Sequence, residues 1–335
     1  SMQQLAKRLA EAFGVSGFED EIRHVIREEI DGLVDEVRVD TLGNLIALRK
    51  GRGDGKRIML AAHMDQIGLM VSHIDEKGFM RFTNVGFVYA LASWGGQVRF
   101  ADGTIGAIGV DGRADPRNSL PELRDYFIDV GAGSKAEVKQ KVGSVAAFWP
   151  GFVAQGNIWF SPNLDDRAGC VALVQTLRQL KDVPVDHDLY AVFTTQEEVG
   201  LRGATAAGYA LEPDLAIALD VTLTGDIPYA SPAMEVSLGK GVAIKIQDSG
   251  MIGHPGLNSR LIDLAEAEGI PFQLEVLQGG TTDARAVQIS RAGVPATALS
   301  FPSRHVHTPS QMVDQRDVEA AVQLLTAFLR RPISL

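Results

Sequence analysis

The chain has 335 residues, of which 45% are hydrophobic and 22% charged, a composition typical of a globular protein long enough for two domains. Asp and Glu number 42 against 32 Lys and Arg, and the net charge of −10 argues against non-specific binding to nucleic acid, which needs a basic surface. The single cysteine, Cys170, excludes an internal disulfide, and no apolar run is long enough for a membrane span. Because the N-terminus lacks the apolar core of a secretory signal, we expect a soluble cytoplasmic protein that binds neither nucleic acid nor membrane.

The first 68 residues predict helices followed by strands. Apolar residues recur on one face of the segments 3–13 and 19–31, which indicates two amphipathic helices. Alternating residues predict strands over Glu36–Val39 and Asn44–Leu48. The short apolar run Ile58–Ala62 is typical of a strand that is buried on both faces, and it ends at a histidine.

Residues 69–160 have a different character. Short alternating runs are separated by glycines, and long helical patterns are almost absent, which favours a small β domain. One helix is predicted over Ser134–Lys141. The predicted strands are Gly68–His73, Phe79–Asn84, Gln97–Phe100, Thr104–Val110, Ser144–Phe148 and Asn157–Phe160.

From residue 161 onward, helices and strands alternate again. Such alternation predicts an α/β fold in which a mixed sheet is sandwiched by helices. We therefore expect one domain made of residues 1–68 plus 161–335, interrupted by a β domain over 69–160. The predicted helices are Asp166–Leu180, Arg202–Tyr209, Leu257–Glu268 and Asp317–Arg330, and the predicted strands are Leu189–Thr195, Leu215–Leu219, Phe272–Leu277 and Ala296–Phe301.

Polar side chains follow several of the predicted strands. His63, the pair Glu197-Glu198 and Asp220 each lie at or just beyond the end of an apolar strand. In open α/β sheets, ligands bind outside the carboxyl ends of the strands, so these side chains are candidates for one shared site. Two further polar segments, Asn163–Arg167 and Arg304–His307, join this group.

Histidine and carboxylate ligands together suit zinc, and also cobalt or manganese. One carboxylate between two metals, with a histidine and another carboxylate for each, would form a dinuclear site, and a further carboxylate could act as general base. Each element alone also has an ordinary structural interpretation. His63 could be a hydrogen-bonded core histidine, Asp165-Asp166 a helix N-cap pair and Glu197-Glu198 a solvated pair. Their joint occurrence at strand ends favours the metal site.

Other candidate features are weaker. The turn Gly279–Ala284 lacks the lysine and spacing of a phosphate-binding loop, so nucleotide binding is not predicted. Cys170 lies within a predicted helix and is expected to be a small buried apolar residue. His24 and His187 are expected at the surface.

The chain resembles the dimetal aminopeptidase family that includes glutamyl aminopeptidase, the deblocking aminopeptidases and the tetrahedral (TET) aminopeptidases. The matching motifs occur in the family's order and span nearly the whole chain. They are Gly14–Glu19, Asp40–Asn44, Ala62–Asp65 with Ile67-Gly68, Leu164–Gly169, Gln196–Ala204, Leu219–Thr222, Gly279–Asp283 and His307–Pro309.

The resemblance implies a zinc-peptidase-like fold and a role for each matching residue. It implies that Glu197 is the general base and that Asp65 orients the metal ligand His63 without binding the metal itself. It also implies a cis peptide bond between Asp165 and Asp166. The implied metal ligands are His63 and Asp220 on one ion, Glu198 and His307 on the other, and Asp165 bridging both.

The activity that the resemblance implies is release of N-terminal residues from short peptides, with two divalent metal ions per subunit, zinc foremost. It further implies that the 69–160 insert carries dimerisation, and that the subunits form homo-oligomers, either dimers or tetrahedral dodecamers. The alternatives are a dimetal N-acyl amino acid deacylase or carboxypeptidase, and an inactive binding homologue. Two departures from the family pattern are Gln66 and Ser310-Gln311, where relatives often carry acids.

Overall fold

The computed structural model describes all residues, 1–335, as helices and strands that form one large sheet with flanking helices and one closed barrel. The helices are α1 (Met2–Glu11), α2 (Asp20–Glu29), α3 (Leu164–Leu180), α4 (Arg202–Leu211), α5 (Pro255–Glu268), α6 (Asp283–Gln288) and α7 (Gln315–Leu329). The first nine strands are β1 (Glu36–Val39), β2 (Leu45–Arg49), β3 (Arg57–His63), β4 (Gly68–Ile74), β5 (Met80–Val85), β6 (Gln97–Phe100), β7 (Ile105–Val110), β8 (Tyr126–Asp129) and β9 (Val145–Trp149). The remaining strands are β10 (Val153–Gln155), β11 (Ile158–Ser161), β12 (Asp188–Thr194), β13 (Leu215–Thr222), β14 (Val242–Gln247), β15 (Phe272–Val276), β16 (Ala296–Arg304) and β17 (Gln311–Asp314).

The large sheet has the order β1-β2-β12-β3-β13-β16-β17-β11-β10, and β14 and β15 extend it from β16. Its centre is parallel, since β12 pairs with β3, β3 with β13, and β13 with β16 in the same direction. These strands are buried along almost their whole length, which explains their continuous apolar sequences. Their carboxyl ends therefore meet along one edge of the sheet.

Helices cover both faces of this sheet, as the alternating pattern predicts. Helices α1, α2, α3, α5 and α7 share the larger apolar core on one face, whereas α4 and α6 pack into a second core on the other. Helix α3 is buried on nearly every side, including the polar residues Asp165, Asp166 and Arg167 of its first turn. The mixed α/β fold with an added barrel is thus confirmed.

Strands β4 to β9 form the closed barrel in the order β4-β5-β8-β7-β6-β9. Its interior is filled by apolar side chains such as Leu69, Met80 and Tyr126. The barrel strands span residues 68–149, and β10 and β11, which lie within the predicted insert, pair into the large sheet through β17. The division of the chain into two functional domains stays a prediction. No helix is both long and apolar enough to cross a membrane.

Several local predictions are wrong. The helix predicted over Ser134–Lys141 is a single 3₁₀ turn at Lys135–Glu137, because the segment is mostly exposed and offers no apolar stripe to pack. His187 is buried, not exposed: it accepts a hydrogen bond from the Lys56 N–H and donates one to the Arg331 carbonyl. The sequence analysis missed four strands, namely β8, β10, β14 and β17.

Candidate metal centre

The carboxyl edge of the parallel strands brings the predicted site residues together. His63 ends β3, Asp220 lies near the end of β13, and His307 follows β16 by three residues. The remaining candidates come from the segment after β12 and from the start of α3. Those that line one cavity of about 530 Å³ are Asp165, Glu197, Glu198, Asp220 and His307.

Asp165 lies between the two histidines. Its Oδ1 is 2.9 Å from His63 Nε2, and its Oδ2 is 3.1 Å from His307 Nε2. One carboxylate therefore faces both imidazoles with separate oxygens, which is the position that a bridging ligand needs. The peptide bond between Asp165 and Asp166 is cis, in agreement with the expectation from the resemblance.

The other carboxylates divide between the two histidines. Glu197 Oε2 and Asp220 Oδ1 lie 3.5 and 3.7 Å from His63 Nε2. Glu198 Oε2 lies 3.3 Å from His307 Nε2. Potential ligand atoms of Asp165, Glu198 and His307 all lie within 4.8 Å of one another, and His63 belongs to two further groups of this kind.

Asp166 belongs to one of these groups, with His63 and Asp220, but its oxygens already have partners. One accepts a hydrogen bond from the His63 backbone N–H, and the other from the Gly169 N–H. Asp166 therefore fixes the backbone of a ligand and of the first turn of α3.

Both histidines are oriented by backbone carbonyls. His63 Nδ1 is 3.0 Å from the Asp65 carbonyl, and His307 Nδ1 is 2.7 Å from the Phe87 carbonyl. Because a carbonyl oxygen can only accept, Nδ1 carries the proton in each ring. With Nδ1 as the donor, each ring presents Nε2 to the site, which is the arrangement found in most metal-binding histidines.

Asp65 is fully buried and ties three parts of the site together. Its Oδ1 lies 3.3 Å from His63 Nδ1 and accepts a hydrogen bond from the Glu197 N–H. Its Oδ2 accepts hydrogen bonds from the Glu198 N–H and from the Ser16 hydroxyl. Asp65 therefore positions both glutamates through their backbone, in addition to lying behind the histidine.

The carboxylates of the cluster lie close to one another and out of water, which shifts their pKa values and those of the two histidines. Burial raises the pKa of Glu197 well above its usual value, and burial together with Asp165 raises the pKa of Glu198 to about 8. Burial lowers the pKa of His307, but hydrogen bonds with Asp165 and Glu198 outweigh it and bring this pKa to about 11. For His63 the charges of Glu197 and Asp220 likewise outweigh burial and raise the pKa.

These observations agree with a divalent metal site. Four buried or nearly buried carboxylates converge on two imidazoles, and no Lys or Arg forms an ion pair with any of the four. Buried carboxylates that lack a cation are costly, so the cluster favours the binding of a cation. Nitrogen and oxygen donors in this combination suit zinc, cobalt and manganese.

Sequence reasoning missed several supporting groups. The Gln311 side chain accepts a hydrogen bond from the Asp165 N–H at 2.8 Å, although Gln311 appeared only as a departure from the family pattern. Arg167 is fully buried and donates to the carbonyls of Met64, Leu9 and Ala12. These contacts join residues far apart in the chain and leave no local pattern.

The family model described as M42 glutamyl aminopeptidase matches residues 43–324. The chain belongs to this family. It is similar to the lysyl aminopeptidase of Pyrococcus furiosus, with 35% identity over 97% of this chain and 96% of that protein. Among solved structures, aminopeptidase APDkam598 from the archaeon Desulfurococcus kamchatkensis is 39% identical, covers 98% of this chain and 94% of its own, and has a TM-score of 0.93.

Another similar structure is the TET1 peptidase of Pyrococcus horikoshii, which can assemble into a tetrahedron or a large octahedral shell. It is 34% identical, with 98% of this chain and 99% of that chain covered and a TM-score of 0.89. Membership of the M42 family assigns the chain to the metal-dependent hydrolases of peptide bonds. The predicted family resemblance is therefore confirmed.

Proposed function

We propose that this M42 enzyme is a dimetal aminopeptidase that releases N-terminal residues from short peptides. The observation that carries the proposal is the position of Asp165, whose two oxygens face His63 and His307 separately. A general base candidate, Glu197, lies in the same cavity. Together they provide the parts of a metal-assisted hydrolase.

In this proposal two divalent ions, of which zinc suits the donors best, would be held with Asp165 as their shared ligand. His63 and Asp220 would bind one ion, and Glu198 and His307 would bind the other. Asp65 keeps the His63 ring and the two glutamates in place through the hydrogen bonds described above. When bound, two such metal ions supply Lewis acidity and a water molecule of lowered pKa.

Glu197 then acts as the general base. Its carboxylate removes a proton from the attacking water and passes it to the amine that leaves. Burial and the neighbouring Glu198 raise its pKa, which suits a group that must accept a proton and later donate it. The acidic lining of the cavity also attracts the free α-ammonium group of a peptide, which an internal peptide bond lacks.

We further propose that the chain forms homo-oligomers through the 69–160 insert, as dimers or as tetrahedral dodecamers. The TET1 peptidase, which covers 98% of this chain, forms closed shells of this kind. Light scattering coupled to size-exclusion chromatography tests the proposal. A monomeric mass at micromolar concentration would contradict it.

The decisive experiment on the mechanism is Glu197→Gln. We expect kcat on a peptide substrate to fall at least about 100-fold, the usual range for loss of a general base, while two metal ions per subunit remain bound. The exposed Glu212→Gln is the matched control. A full rate in the Glu197 variant with metals bound would show that another group is the base.

The deacylase alternative is tested in the same assay. An aminopeptidase requires a free α-amine, so N-acetylation of the substrate should abolish hydrolysis. Protein stripped by a chelator and reloaded with zinc, cobalt or manganese then identifies the metals that support activity. Hydrolysis of the blocked substrate at an undiminished rate would favour the deacylase.

A further inference from the structure

The substrate cavity has an apolar arm that begins directly beside the proposed metal ligands. Leu223 follows Asp220 by three residues, and Val306 immediately precedes His307; both line the 530 Å³ cavity. Leu277 lies on the same wall. These side chains thus form an apolar part of the cavity wall beside the proposed metal ligands.

A second cavity of about 230 Å³ adjoins the arm. The two cavities share Leu223, Leu277 and Gly279, so they are neighbours across the same wall. The second cavity adds further apolar side chains, among them Ile227 and Met234. Leu223 and Ile227 are 47% and 40% exposed, so their apolar surface is open to a ligand.

The arginine and the lysine that line the two cavities already have acidic partners. Arg304 lines the second cavity and donates to both oxygens of Asp226, at 3.0 and 2.8 Å. Lys245 lines the first cavity, but its Nζ lies 2.8 Å from Glu275 and 3.0 Å from a buried aspartate, Asp248. Neither of these two acids lines either cavity.

We infer that this arm binds the side chain of the substrate's N-terminal residue and selects large aliphatic residues, leucine and methionine above all. The inference rests on the proposed aminopeptidase function. The α-carbon of the first residue carries the amine that binds at the ligand cluster, so its side chain is the one held closest to Leu223 and Val306. A charged side chain would lose its hydration without gaining a free counter-ion.

A panel of aminoacyl-anilides tests the inference, because only the N-terminal residue varies among them. We expect kcat/KM for leucine and methionine anilides to exceed that for lysine and glutamate anilides roughly 100-fold or more, the range typical of apolar pockets. A preference for lysine or glutamate would overturn the inference and leave the aminopeptidase function intact. Hydrolysis of none of the anilides and of no short peptide would instead contradict the proposed function itself.

A variant sharpens the test. Asp226→Asn keeps one acceptor oxygen but removes the charge that neutralises Arg304, so the guanidinium becomes available to an acidic side chain. We expect the ratio of kcat/KM for glutamate to that for leucine to rise at least about fivefold, as for a new charged hydrogen bond. Asp20→Asn is the matched control, since Asp20 pairs with Arg23 at the surface.

The size of the arm is tested by Leu277→Ala. The control is Leu274→Ala, which lies in the preceding strand β15 and outside both cavities. We expect the first variant to raise KM for leucine anilide and to leave alanine anilide nearly unchanged. An unchanged leucine preference in both Asp226→Asn and Leu277→Ala would show that the arm does not bind the N-terminal side chain.

Discussion

Replacing Lys245 by methionine tests how the wall of the substrate cavity is stabilised. Lys245 is 1% exposed, and its ammonium group contacts the carboxylates of Glu275 and Asp248, which are also buried. Burial lowers the pKa of Lys245, but Glu275 and Asp248 outweigh it and raise this pKa, so the side chain is charged at neutral pH. Methionine keeps the apolar volume and removes the charge.

The expected loss in the free energy of unfolding follows from the hydrogen bonds that Asp248 and Glu275 each keep in the variant. Asp248 still accepts hydrogen bonds from the Gly250 N–H and the Thr281 hydroxyl, whereas neither oxygen of Glu275 has a hydrogen-bond donor of its own. Glu275 would therefore be a buried charge without a partner. Removing one member of a buried ion pair costs about 3–5 kcal/mol, a large share of the roughly 5–15 kcal/mol that stabilises a typical protein.

Urea unfolding at neutral pH of the metal-loaded protein measures the change in the free energy of unfolding. The exposed Lys240→Met serves as control. The double variant Lys245→Met with Glu275→Leu should recover at least half of the loss, because apolar replacement of a whole buried pair is often nearly neutral. A loss below about 1 kcal/mol for Lys245→Met alone would refute the reasoning, since it would place Glu275 in contact with water.

Three further outcomes are expected. Gln66→Glu should stabilise the protein by about 1 kcal/mol in urea unfolding, because the amide oxygen that accepts a bond from buried Arg167 would become a carboxylate. Arg304 lowers the pKa of Asp226, so this pair stabilises the fold above about pH 4 and loses its effect as the pH falls. In Asp226→Asn the free energy of unfolding should therefore decrease less steeply as the pH is lowered below about 4. Gly86→Ala should reduce kcat while the oligomeric mass stays constant, since the added Cβ would lie 2.8 Å from Ile67 at a glycine with a φ of 75°.

The position of the site could be predicted from the sequence because its residues end strands. His63 and Asp220 terminate continuous apolar runs, and parallel strands place such ends along one edge. The family motifs then assign a role to each residue, and the structure brings those residues within a few ångströms of one another. The elements with strong periodicity, such as α3, were predicted almost to their ends.

The contacts that hold the site could not be predicted. Gln311 lies 146 residues from Asp165, and Ser16 lies 49 residues from Asp65, so neither hydrogen bond leaves a local signature. The missed strand β14 has a different cause. A lysine interrupts its apolar run, and only the buried acids on neighbouring segments make that charge acceptable inside a sheet.

The barrel also contributes directly to the metal centre. It begins at Gly68, three residues after Asp65, and its segment after β5 returns to the site. There the Phe87 carbonyl accepts the hydrogen bond that fixes the His307 ring, and Phe87 and Tyr89 line the substrate cavity. Because the barrel orients the His307 ring and forms part of the cavity wall, movements of the barrel would reach this candidate ligand through the Phe87 carbonyl.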